Sequence, residues 1–232
     1  MIEKLKKDLQ NLADPEKARI HNRFFKTGKG EYGEGDVFWG IPVPQLRVVA
    51  KKYKTLSLNN LQNLLNSKIH QHRQVALYIL VDQFEKEKEE SQKKKIATFY
   101  LRNMKGINNW DLVDLSAPKI LGGYLLDRDK QVLYWLARSK NLWEKRIAVL
   151  STLAFIKEEQ FDDTLRMAKI LLDDDHDLIH KAVGWMLREV GKKNMSVLKK
   201  FLDQHTLKMP RTMLRYSIEK LPEKQRKFYL SK

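Results

Sequence analysis

The 232-residue chain contains no cysteine. That absence removes disulfide frameworks, thiolate zinc sites and cysteine nucleophiles together, and it fits a reducing compartment, so a cytoplasmic location is expected. Long apolar runs are also missing. The opening "MIEKLKKDLQNLADPEKARI" alternates charge with aliphatics and lacks the apolar h-region of a secretion signal, and nothing downstream approaches the roughly 18 apolar residues of a membrane span. No membrane association is expected. Acidic residues are in short supply: 29 Asp and Glu face 45 Lys and Arg, a formal charge of +16. An excess of this size attracts polyanions through its long-range field and through counterion release, which makes nucleic acid the leading partner.

Strand-like alternation is missing as well, and what fills its place is helical periodicity. Apolar residues recur at intervals of three and four in "HRQVALYILVDQF", "DLVDLSAPKILGGYL", "WEKRIAVLSTLAFI" and "HKAVGWMLREV". Helix starts are expected at Asp14-Pro15, Pro44, Ser57, Asp127, Asp162 and Pro222, and stops at Gly106, Gly191 and before Pro210. A dozen or more short helices follow. Arg73, Trp110, Arg146, Lys181 and Arg211 stand on helices roughly 30 to 37 residues apart with another helix between each and the next, the period of helical pairs stacked as a solenoid. In such an array one helix of each pair lines the concave surface, which would make these residues neighbours. The expected architecture is all-α, a single HEAT-like helical-repeat solenoid over residues 1–232 with a basic concave groove, and a monomer.

Two motifs are distractors. "GKGEYG" at residues 28–33 spells G-x-G-x-x-G, yet it follows a helical segment rather than a strand and runs into "EGDVFWGIPVP", which is not helical. Gly28, Gly30, Gly33 and Gly35 read instead as an irregular loop whose backbone can approach a ligand. His176 and His180 stand one turn apart like half a zinc site, but the zincin glutamate and a third ligand are missing, so a surface or helix-start role is expected. His70 and His72 receive no functional role. No cofactor and no metal are expected.

In "GINNWDLVDLSAP", Trp110 and Asp114 lie one helical turn apart, only about 40° from a common face. From the residues alone the pair reads either as a site or as packing, with Trp110 in the core and Asp114 a solvated charge or a partner to Arg146.

Taken with "GIPVPQLRVVAKKY", "LWEKRIAVLS" and "IHKAVGWMLRE", the segment "NNWDLVD" resembles the AlkD-like DNA alkylation repair family of HEAT-like DNA glycosylases, from about Lys17 to about Glu219. The resemblance implies that Trp110 and Asp114 are the W-x-x-x-D pair of the catalytic site, that Arg146 is the catalytic arginine, and that Trp185 is a second groove tryptophan. It implies excision of cationic N3- and N7-alkylated purines, a chemistry the residues suit. Such a base leaves neutral and strands an oxocarbenium-like sugar, so an anion near C1′ is needed more than an acid. Asp114 would supply that anion, Trp110 would lie against the sugar and the cationic lesion, and Arg146 would hold a flanking phosphate. Arg73, Lys181, Arg188, Arg211 and Arg215 are expected to flank a basic groove.

The chain departs from the family at two places. Where a short helix carries a lesion-side aromatic, this chain has "KTGKGEYGEGDVFW", too rich in glycine for a stable helix, and Phe24 is the nearest match, with Tyr32 and Trp39 as substitutes. The acidic run Asp173 to Asp175 with Asp177 would repel phosphates if it faced the groove. The leading function is therefore a monofunctional glycosylase acting on alkylated duplex DNA. The alternatives are a non-excising relative that binds damaged or branched DNA, and a helical-repeat protein scaffold.

Overall fold

In a computed structural model describing residues 1–232, Asp14 accepts hydrogen bonds from the backbone of Glu16 and Lys17, and Pro15 occupies the first turn, so the second helix starts where the sequence announces it. Ser57 caps another start in the same manner, and Pro44 and Pro222 stand at two more. All regular secondary structure is helical, and the only β-like pairing is an isolated bridge between Val37 and Ile69. No helix is long and apolar enough to cross a membrane.

Two compact units are formed, residues 1–120 and 121–232. The first holds α1 (Ile2–Gln10), α2 (Pro15–Phe24), α3 (Val43–Lys52), α4 (Leu58–Leu65), α5 (His70–Lys86), α6 (Glu90–Arg102) and α7 (Trp110–Ser116). Helix α5 is its axis: α3, α4 and α7 all pack on it, and its residues from His70 to Leu77 are buried without a break. Leu46, Leu61, Leu64, Leu77 and Leu80 are fully buried around it, each stabilising the unit by roughly 1.5–3 kcal/mol relative to an exposed side chain. Behind α7, the phenol of Tyr100 is buried and hydrogen-bonded to Ser116 at 3.0 Å.

Pro118 follows α7 and has no amide proton to offer the carbonyl of Asp114, four residues back. A regular helix would also press its ring on that carbonyl. The chain widens there into a π turn, Pro118–Gly122.

The second unit holds α8 (Gly123–Leu125), α9 (Gln131–Ala137), α10 (Leu142–Lys157), α11 (Asp162–Ile170), α12 (Asp177–Lys193), α13 (Met195–His205), α14 (Arg211–Ser217) and α15 (Glu223–Leu230). Helices α10, α12 and α14 pack side by side in one row, with α9, α11 and α13 packed on them. The residues spaced by the sequence period therefore head adjacent helices within each unit: Arg73 and Trp110 in the first, Arg146, Lys181 and Arg211 in the second.

Two boundary expectations differ from the structure. Asp127 does not start a helix; α9 begins at Gln131, whose amide is taken by Asp129. Gly191 does not end α12, which continues to Lys193. Its lack of a Cβ serves packing, because a Cβ at that position would overlap Leu198 of α13. Gly184 serves the same purpose against the backbone of Met213, where α14 crosses close to α12.

Candidate active site

Helix α7 is capped by Asn109, whose side-chain oxygen accepts the amide proton of Trp110 at 2.8 Å. The cap puts Trp110 at the first helical position and Asp114 one turn further, and both are half-buried. The indole stacks on Phe25, with ring centroids 5.2 Å apart and planes 16° from parallel. Phe24 meets the same indole edge-on at 5.9 Å and leaves 61% of its own surface exposed. Among the aromatics considered for the lesion side, Phe24 is thus in contact with Trp110. The hydroxyl of Tyr32 donates to the Phe24 carbonyl at 3.5 Å, while Trp39 faces His72.

Beneath this aromatic cluster lies a polar network that the sequence reading missed. His70 is 1% exposed, and its Nδ1 lies 3.0 Å from Asp36 and its Nε2 2.9 Å from Asp111. Asp36 also accepts from Arg73 Nη2 at 2.6 Å and from Asn109 Nδ2 at 3.2 Å, and Asp111 accepts from Gln74 Nε2 at 3.1 Å. Phe38 stacks on the His70 imidazole at 4.3 Å, and Phe25 lies against both His70 and Trp110. Burial pulls the imidazolium of His70 down, but the charge and hydrogen bond of Asp111, with that of Asp36, outweigh it and raise its pKa. Burial pushes Asp36 up, yet the His70 hydrogen bond and the Arg73 charge leave its carboxyl below the usual range.

Arg73 was expected beside an open groove. It is instead 3% exposed, with its other amino group donated to the Ser67 carbonyl at 2.9 Å. The reason is the central place of α5, which buries every side of its first turns and turns a cation into an interior ion-pair partner. His70 likewise is no idle turn residue. A legible signal existed in "HQHRQ", five consecutive polar residues opening a helix that continues as "VALYILV".

Asp114 opens onto a cleft of about 480 Å³ whose lining includes Arg47, Lys51, Tyr78, Glu85 and Lys119. The Arg47 guanidinium lies 5.6 Å over the Tyr78 ring, and Lys119 pairs with Glu85 at 3.0 Å. Neither Arg47 nor Tyr78 was singled out in the sequence, although Arg47 lies within the quoted "GIPVPQLR" segment.

Residues 28–35 form turns rather than helix, as their glycine content requires. The amides of Gly28 and Gly30 are each taken at 2.8 Å by carboxylates of the same loop, Glu31 and Glu34. This self-satisfaction leaves those two amides turned to protein anions, which a phosphate cradle could not tolerate. At its far end the loop passes through Val37, which exchanges backbone hydrogen bonds with Lys68 and His70, and so fixes Asp36 over the start of α5.

In the second unit Arg146 is 5% exposed and donates Nη1 to the Leu178 carbonyl at 2.6 Å. Trp185 is half-buried, with its indole N–H donated to Glu189 at 3.1 Å. Arg188 pairs with Glu219 and lies near Glu189; Lys181 pairs with Asp177 at 2.7 Å. Arg211 is exposed and reaches the Leu230 carbonyl, and Arg215 is exposed. The acidic run is partly neutralised by local pairing, since Asp174 holds Lys145 as Asp177 holds Lys181. His176 caps α12 by accepting the Leu178 amide proton, and His180 bonds the Asp174 carbonyl.

A family model described as DNA alkylation repair enzyme matches residues 5–221, nearly the whole chain. The protein belongs to that family. A solved structure of a predicted DNA alkylation repair enzyme from Enterococcus faecalis superposes with a TM-score of 0.70, covering 91% of this chain and 97% of that one at 17% identity. At that identity the likeness shows a shared all-helical fold. None of the curated proteins compared with the chain matches it.

Proposed function

We propose that this DNA alkylation repair family member is a monofunctional DNA glycosylase that removes cationic N3- and N7-alkylated purines from duplex DNA. The observation that carries the reading is the pairing on α7 of an indole flanked by the exposed Phe24 with a carboxylate one turn away that opens onto a cleft holding Arg47 and Lys51. An alkylated purine carries its positive charge into the reaction. As the C1′–N9 bond breaks, the base keeps the bonding electrons and departs neutral, and the charge moves to the sugar. Asp114 opposes that charge, an interaction stronger in the transition state than in the ground state. Water adds its hydroxyl to C1′ and releases a proton, leaving an abasic site. Trp110 would offer a π face to the lesion and the deoxyribose, and Arg47 and Lys51, which line the same cleft as Asp114, would hold flanking phosphates. Trp185, with the exposed Arg211 and Arg215, is proposed as a DNA-binding surface of the second unit, and the buried Arg146 would support it by holding the Leu178 carbonyl at the head of α12. Lys181 and Arg188 would join them by exchanging Asp177 and Glu219 for phosphates.

The test is single-turnover release of free 7-methylguanine from methylated duplex DNA, beside equilibrium binding to the same duplex across a salt series. Base release with affinity falling steeply in salt is expected. Salt-dependent binding without release would favour a non-excising DNA-binding relative, and the absence of both would leave a protein scaffold.

A further inference from the structure

We propose that His70 is a positioning residue for the α7 pair: held as a buried imidazolium between Asp36 and Asp111, it clamps the glycine-rich loop to the head of α7 and sets the place of Trp110 and Asp114. The role assigned to the pair rests on the glycosylase reading, but the clamp itself does not.

The geometry requires the charged form. A neutral imidazole has one N–H and one lone pair, so it can donate to only one neighbour. Here both ring nitrogens lie within 3.0 Å of carboxylate oxygens. A lone pair on Nε2 would face Asp111, and one on Nδ1 would face Asp36 at 3.0 Å with Arg73 Nη2 further off at 3.4 Å. Charge counting agrees, because the network has two carboxylates, Asp36 and Asp111, and one other cation, Arg73. With both carboxylates ionised, a protonated His70 leaves the buried cluster neutral. Arg73 is on the same helix, Asp36 on the loop and Asp111 on α7. From α2, His21 also acts on His70, but burial keeps that imidazole towards its neutral form. The faces of Phe38 and Phe25 close the rest of the surroundings, and a cation against them is favoured further.

The connection to the pair is short. Asp111 follows Trp110 directly and precedes Asp114 by less than a turn, and Asn109, the cap of α7, donates to the same Asp36 that His70 holds. Loss of the proton removes a donor from Asp111 or Asp36 and leaves one excess negative charge beneath the Trp110–Phe25 stack. Where Asp111 is the carboxylate that loses its donor, Gln74 alone then ties the first turn of α7 to α5 through Asp111.

The experiment uses the full chain labelled with ¹⁵N. Histidine ring spectra are recorded against pH, and the indole N–H resonance of Trp110 is identified by its loss in Trp110→Phe. His70 is expected to carry protons on both ring nitrogens at neutral pH and to titrate above the ordinary 6.5, with the Trp110 resonance moving at the same midpoint. In His70→Gln that alkaline movement of Trp110 should vanish. If this variant does not fold, the wild-type titration alone decides. A neutral His70 at pH 6.5, or a Trp110 resonance indifferent to its titration, overturns the proposal. Base release measured over the same range should decline by about tenfold per pH unit beyond that midpoint. Should the protein release no base at any pH, the glycosylase reading fails, while the two resonances still judge the clamp.

Discussion

Replacing Arg73 by Met separates an interior ion pair from a DNA contact. In the structure Arg73 and Asp36 are both about 4% exposed at the side chain and lie 2.6 Å apart. Methionine refills most of the apolar volume but donates nothing, so Asp36 keeps only His70 and Asn109, and the Ser67 carbonyl loses its donor. Removing one partner of a buried pair costs about 3–5 kcal/mol, because the other charge stays desolvated. That is a large part of the roughly 5–15 kcal/mol that holds a typical domain together. With a urea slope near the upper part of the roughly 1–3 kcal/mol/M range, the midpoint for the first unit should fall by about 1–2 M. The assay is urea unfolding followed by tryptophan fluorescence and by circular dichroism, with Arg215→Met as the exposed counterpart. Arg215→Met should change stability by less than about 0.5 kcal/mol. The reasoning is refuted if Arg73→Met keeps the wild-type midpoint and instead lowers duplex affinity, with a salt slope reduced by about one, the signature of a lost phosphate contact.

Asp114→Asn keeps size and hydrogen-bonding reach but removes the charge that opposes the sugar cation. Base release should drop by at least about tenfold while duplex affinity holds or tightens, and an unchanged single-turnover rate would show that the carboxylate is not the acting group. Stability should decline in acid for two structural reasons. His72 is buried, and its pKa falls from 6.5 to about 4, so the unfolded chain takes up a proton first as pH drops through that window. Asp36, with its pKa lowered, contributes stability that is present above 3.8 and lost as pH falls through its folded value. His72→Gln should flatten the first decline between about pH 6.5 and pH 4 in urea midpoints, and an unaltered profile would place the acid sensitivity elsewhere. His70 has the opposite sign: its contribution is complete below 6.5 and is lost as pH rises through its raised value.

Much of this protein was decided by local sequence. The periodicity of apolar residues, the caps at Asp14 and Ser57 and the prolines at helix starts set an all-helical chain, because each acts within a turn or two of backbone. Glycine content alone kept residues 28–35 from being a helix. Within each unit the period of roughly 30 to 37 residues also identified helices that pack as neighbours, since repeat packing writes itself into spacing. Trp110 and Asp114 were legible as a pair for the same reason, being on one face of one helix. The sequence could not tell which charges are inside. Arg73 looks the same on paper whether it meets a phosphate or Asp36, and His70 becomes a cation only where Asp36 from a loop and Asp111 from α7 converge on it. Burial and partnership across dozens of residues are properties of packing. They settled Gly191 as a contact for Leu198 rather than a helix end, and they placed a neutralised cluster of charges under the aromatic face of α7, because only in the folded chain do those groups share one dry interior.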